Sequence, residues 1–102
     1  MKDVKKICKI AVIQAAPVMF DKDACTQKAV DLIQEASRRG AQLMVFPELF
    51  IPGYPYGMTF GFRVGSRSGE GRQDWKLYLD NSILVPGKET EKIGMAAREA
   101  GA

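Results

Sequence analysis

ICKIAVIQAAPVMFDKDACTQKAVDLIQEASRRGAQLMVFPE, residues 7–48, decides the fold. Ile7 to Ala15 is rich in β-branched residues, and Ile10-Ala11-Val12-Ile13 is apolar throughout, as in a strand covered on both faces. Pro17 ends it, because proline cannot donate to a ladder. Asp21 and Asp23 both suit the N-cap of a following helix. Cys25, Ala29, Leu32, Ile33 and Ala36 then recur on one helical face. Gln27, Lys28, Asp31, Gln34 and Arg38 lie on the opposite face, which makes the segment amphipathic. Arg38 and Arg39 suit the helix's negative end, and Gly40 suits the position just past it. Leu43–Phe46 is a second apolar run, read as a strand. The whole is a βαβ unit, with a helix from about Ala24 to Arg39. Parallel pairing between neighbours or next neighbours and a right-handed crossover are expected.

Working outward, residues 52–71 read as a long loop. Glycines stand at 53, 57, 61, 65 and 69, every fourth position. That spacing suits packed membrane helices, but Pro52, Pro55, Arg63, Arg67 and Glu70 break the pattern. The three arginines at 63, 67 and 72 are too sparse for an RNA-binding tract. Arg67 and Arg72 are read as structural partners of Glu70 or Asp74. Gln73 to Ile83 reads as a short helix. Lys88 to Ala100 reads as another, with Ile93, Ala96, Ala97 and Ala100 inward and Gly101 as its cap.

The 102 residues amount to one domain at most. A hydrophobic share of 46% with 26% charged residues is that of a globular chain and excludes general disorder. The net charge of +3 is too mild and too mixed to imply nucleic acid. No apolar run approaches the ~20 residues that span a bilayer. Lys5 and Lys6 precede an apolar stretch, but Asp3, Lys9 and Gln14 spoil a signal peptide. A cytoplasmic protein is expected, with Cys8 and Cys25 reduced. Cys8 is placed inside the first strand and Cys25 on the inward helical face, both as core thiols. The chain has no histidine, which excludes a histidine-based catalytic site or metal site within it. Neither a cofactor nor a metal is expected.

Glu48 is the residue with most chemistry to offer. It follows the second strand at the carboxyl edge, where open α/β sheets gather their sites, with Pro47 fixing the turn. A carboxylate there is expected to be buried and to face a cavity, as suits a general base. Position alone favours a solvated loop glutamate. The flanking residues decide between the two.

Val45–Gly61, VFPELFIPGYPYGMTFG, closely resembles the nitrilase branch of the carbon–nitrogen hydrolase superfamily. So do Gly65–Gly71 (GSRSGEG) with Arg72, the opening Lys9–Asp21 (KIAVIQAAPVMFD), and Val85-Pro86-Gly87 with Thr90-Glu91. The resemblance runs from Lys9 to the end. It implies the N-terminal part of an α-β-β-α sandwich, with residues 1–102 one segment of a domain that continues. It also implies a Cys-Glu-Lys triad that hydrolyses an organic nitrile to acid and ammonia, with a homo-oligomeric parent protein. Glu48 matches the family's glutamate, the proton acceptor. The family's lysine and cysteine belong to motifs beyond residue 102. Neither Cys8 nor Cys25 stands at the strand-to-helix elbow that the nucleophile requires. Tyr54 is a candidate to line the substrate pocket, as a residue in the corresponding family segment does, its other reading being a packing aromatic with its hydroxyl in water, whereas Phe50, Pro52 and Pro55 shape the loop. Amide, carbamoyl and cyanide hydrolysis are sibling readings. A non-catalytic binding module is the reading from another class, and the Glu48 constellation disfavours it.

Overall fold

A computed structural model of the chain describes residues 7–56, 58, 60 and 69–102. Among these residues the elements are, in order, β1 (Ile10–Val12), α1 (Lys22–Arg38), β2 (Leu43–Val45), α2 (Gly69–Asp80) and α3 (Lys88–Ala100). The arrangement is α/β. β1 and β2 are direct parallel neighbours, with Ile10 opposite Leu43, Ala11 opposite Met44 and Val12 opposite Val45. Ile13 N–H donates to Val45 O at 2.9 Å, and Gln42 N–H donates to Lys9 O at 2.7 Å. The pairing therefore reaches a residue past each end of the regular ladder.

α1 begins and ends as its sequence dictates. Of the two candidate caps, Asp21 takes the role: its Oδ1 accepts from Ala24 N–H at 3.0 Å. Asp23 lies in the first turn, where it meets the positive end of the helix. Lys22 N–H, another free donor at this end, reaches Asn81 Oδ1 at 3.3 Å. At the far end Gly40 N–H donates to Ser37 O and Ala41 N–H to Ala36 O, the paired bonds of a Schellman motif. That motif needs a left-handed residue, and Gly40 has φ +84°.

Cys25, Ala29, Ile33 and Ala36 are buried and Leu32 half-buried, as the helical periodicity requires. Thr26 is also buried, and its hydroxyl is satisfied by donating to Lys22 O at 2.6 Å. Cys25, Ala29 and Phe50 form the centre of the core. Ala15, Val18, Leu32, Phe46, Ile51 and Ile93 pack around it. Ile93 comes from α3, whose Ala96 is buried and whose Ala97 and Ala100 are half-buried. Gly87 N–H donates to Thr90 Oγ1 at 2.9 Å at the start of α3, and Gly101 closes it at φ +68°. Among the described residues no helix is long and apolar enough to cross a membrane.

The structure corrects the sequence reading in several places. The loop expected through Gly71 ends earlier, because α2 starts at Gly69 and stops at Asp80 instead of spanning Gln73–Ile83. Its opening turn holds Gly69 and Gly71, which disguised the helix, but also Glu70, which suits the dipole. Gly57, Arg63, Gly65 and Arg67 lie outside the described residues. Among the described residues Arg72 forms no ion pair with Glu70 or Asp74, and all three are exposed. Cys8 lies ahead of β1 and is half-buried. Only one face of the β1–β2 pair is covered. Ala11 and Ile13 turn inward, while Ile10, Val12 and Val45 are 53%, 76% and 46% exposed. The apolar run anticipated a second covering layer that the described residues do not contain.

Glu89 was not anticipated at all. It is buried on α3, with Lys22 Nζ of α1 at 4.0 Å and Lys88 Nζ at 3.9 Å from its Oε1. Lys88 also approaches Asp23 Oδ1 at 3.6 Å. These charges join the amino ends of α1 and α3. A glutamate in a helix's first turn reads as a solvated dipole partner, so sequence alone hides this role.

Candidate active site

Parallel pairing sends the carboxyl ends of β1 and β2 to the same edge. The chain leaves β1 through Ala15, Ala16 and Pro17 and leaves β2 through Pro47, Glu48, Leu49 and Phe50. These two exits, with Tyr54 and Tyr56, line an open cleft of about 430 Å³. Glu48 and Tyr54, singled out separately from the sequence, thus share one cleft. Among the described residues no cluster of three or more His, Cys, Asp or Glu side chains is placed to hold a metal.

The turn that carries Glu48 is built for abrupt reversal. Leu49 sits at φ +51°, an uncommon conformation for a non-glycine residue. The chain then closes on itself through Gly53 N–H donating to Leu49 O at 3.0 Å. Gly53 has φ +113°, and a Cβ there would run into Met19 Sδ and come within 3.3 Å of Pro17 Cγ. Glycine is needed here for its φ, and a side chain would in addition oblige Met19 to move.

Two side chains fasten this turn to the helices. Cys25 Sγ of α1 donates to Phe50 O at 3.0 Å, and Tyr78 Oη of α2 donates to Gly53 O at 3.0 Å. Phe50 is 7% exposed and meets Phe46 edge-on, with ring centres 5.2 Å apart. It borders the cleft as well as filling the core, so its part is wider than the loop-shaping expected of it. Tyr54 is 41% exposed, and its ring centre lies 4.6 Å from that of Tyr56.

Glu48 itself is exposed, against the expectation of burial. Its position at the strand's carboxyl edge and on the cleft wall is as expected. The cover is what differs: no described element packs over that side of the cleft, just as none packs over Ile10 and Val12.

Sequence reasoning missed Ala15, Ala16, Pro17 and Tyr56 as lining residues. The signal was present. Once the strands are taken as parallel, the exit of β1 must border whatever the exit of β2 borders. Tyr56 follows Tyr54 by two residues across Pro55, near enough to share its surface.

Cys25 behaves as a core thiol. Burial pushes it up from the ordinary thiol value, outweighing the lowering by a backbone hydrogen bond from Val18 and by Lys28. Burial that favours the neutral thiol stabilises the fold below the ordinary thiol pKa. This contribution is lost as pH rises through the raised value. Half-buried Cys8 is therefore expected to react with a thiol reagent well before Cys25 in the native protein, with the difference abolished by denaturant. Equal native rates in a thiol-labelling time course would place Cys25 in contact with solvent.

A βαβ unit whose second strand delivers a glutamate, through a proline turn, to a shared carboxyl-edge cleft fits a hydrolase site of the kind the motif suggested. The carbon–nitrogen hydrolase family model matches residues 9–102, and the chain belongs to that family. Within the family its similarity is to the nitrilase branch. It is 50% identical over 93 residues to an aliphatic nitrilase of Sinorhizobium fredii (strain HH103), covering 91% of this chain and 30% of that protein. It is 42% identical over 89 residues to a bifunctional nitrilase/nitrile hydratase of Nicotiana tabacum, covering 87% of this chain and 26% of that protein. Nitrilase 2 of Arabidopsis thaliana is 43% identical over 91 residues, 89% of this chain and 27% of its own length. The chain thus spans less than a third of the curated relatives it matches.

Proposed function

We propose that the full-length protein hydrolyses an organic nitrile to a carboxylic acid and ammonia, with Glu48 as the proton acceptor of a Cys-Glu-Lys triad. The observation that carries this reading is the placement of Glu48. The one glutamate of Val45–Gly61 stands at the carboxyl edge of a parallel strand pair, on the wall of a cleft. Its lysine and cysteine partners would come from residues beyond Ala102. They would share an α-β-β-α sandwich whose first layer is the unit described above.

The chemistry assigned to Glu48 is proton transfer. It takes the thiol proton, and the thiolate adds to the nitrile carbon to give a thioimidate. The lysine stabilises charge developing on nitrogen. Water adds to the thioimidate carbon, ammonia leaves, and a second water cleaves the thioester to acid and thiol. Tyr54 contributes to the substrate-facing wall.

The tetrahedral adduct formed by the first water has a second exit. If it expels the thiolate instead of ammonia, the product is the amide. The similarity to a relative named for both nitrilase and nitrile hydratase action makes this a specific second reading. Product analysis on the full-length protein tests both. Aliphatic and aromatic nitriles are supplied, and acid, amide and ammonia are quantified. Acid with an equal amount of ammonia is the expected result. Amide without ammonia would replace it with the second reading, and turnover of amides or cyanide but no organic nitrile would overturn both.

A further inference from the structure

We infer that Tyr78 is a positioning residue that sets substrate selectivity through Tyr54, an inference that rests on the nitrile-hydrolysing cleft proposed above. Tyr78 stands on α2, 25 positions along the chain from the carbonyl it holds, and is not among the residues that line the cleft. Its ring is held on three sides. Trp75 stacks at 6.4 Å between centres, while Phe60 at 5.6 Å and Phe20 at 6.5 Å meet it edge-on. A ring so confined delivers its hydroxyl to a fixed point, and that point is Gly53 O. The Gly53 carbonyl belongs to the peptide that leads directly into Tyr54.

The two fastenings divide the turn. Cys25 holds the Phe50 carbonyl, two residues from Glu48, while Tyr78 holds the Gly53 carbonyl, one residue from Tyr54. Removing the Tyr78 hydroxyl loosens the Tyr54 end, where the Gly53 N–H bond to Leu49 O remains, and leaves the Glu48 end attached to Cys25. The carboxylate keeps its place while the substrate-facing ring loses its own. Binding and discrimination between substrates then suffer more than the chemical step. A residue that merely supported the fold would lower apparent kcat in proportion to the folded fraction and leave KM and the ratio between substrates unchanged.

The test uses the full-length enzyme and two nitriles, one small and aliphatic and one bulky and aromatic. Tyr78→Phe retains the ring and deletes only the donor. It is expected to raise KM about three- to tenfold, the effect of one lost hydrogen bond, with kcat within about twofold. The ratio of kcat/KM for the two nitriles should change. In a Tyr54→Ala background the same substitution should have no further effect on that ratio, because the residue through which it acts is gone. Unchanged constants in Tyr78→Phe, an equal fall in kcat for both nitriles with KM unchanged, or effects that add independently of Tyr54 would each overturn the inference. Failure of the underlying reading looks different, since the unmodified enzyme would then turn over neither nitrile.

Discussion

Glu48→Gln in the full-length protein is expected to lose about 10²–10⁴-fold in turnover of its nitrile while folding normally. The amide matches the carboxylate in size but cannot take a proton from the thiol. The thiol would then add as a poor nucleophile. The surroundings of Glu48 make the substitution informative. Its side chain is exposed in the described structure and takes no part in the core built on Cys25, Ala29 and Phe50. The turn around it is held through backbone groups of Phe50 and Gly53, which the substitution leaves untouched. Thermal unfolding of the variant should therefore match the parent within a few degrees, so lost activity reports chemistry. A folded Glu48→Gln enzyme with kcat within a fewfold of the parent would remove Glu48 from the mechanism.

The second large effect concerns residues 1–102 expressed by themselves. They are expected to release no ammonia from any nitrile above the uncatalysed background. Covalent catalysis needs an activated thiolate, and members of such a triad act as a unit, so one of them alone retains almost none of the acceleration. Cys25 cannot substitute, because it is fully buried, its hydrogen bond goes to Phe50 O, and burial favours its neutral form. Cys8 lies before β1, outside the cleft lining. The isolated segment should also self-associate, since Ile10, Val12 and Val45 present an apolar face and, among the described residues, each strand has an open edge. Ammonia assay and light scattering on the purified segment measure both. Turnover that disappears in Cys8→Ala or Cys25→Ala would show that a nucleophile had been overlooked, and a monomeric, cooperatively unfolding product would show that the exposed face needs no cover.

What could be read from the sequence was whatever is decided locally. Gly40 marks the end of α1 through bonds within a few residues of itself, whereas the start was left between Asp21 and Asp23, and the helix begins at Lys22, two residues before the expected Ala24. The stripe from Cys25 to Ala36 follows from helical spacing alone. Leu43–Val45 beside Ile10–Val12 follows from two apolar runs joined by one helix. What escaped depended on distant partners. Glu89 is buried with Lys22 across from it, 67 positions earlier, and nothing in GKETE announces that. The exposure of Glu48 and of Val12 depends on layers that local pattern presupposes but cannot supply. The start of α2 was lost for a different reason, since Gly69 and Gly71 are poor helix formers that a helix tolerates in its first turn.

Phe50 gives the cleft an uneven capacity to evolve. It is a structural and a lining residue at once, so any exchange made there to suit a new substrate also opens the packing around Cys25 and Ala29. Tyr54 and Tyr56 border the same space from outside the core, where variation is cheap. Natural divergence and laboratory libraries alike should therefore diversify the tyrosine side of the cleft, while the phenylalanine side stays nearly fixed for reasons of folding and not of chemistry.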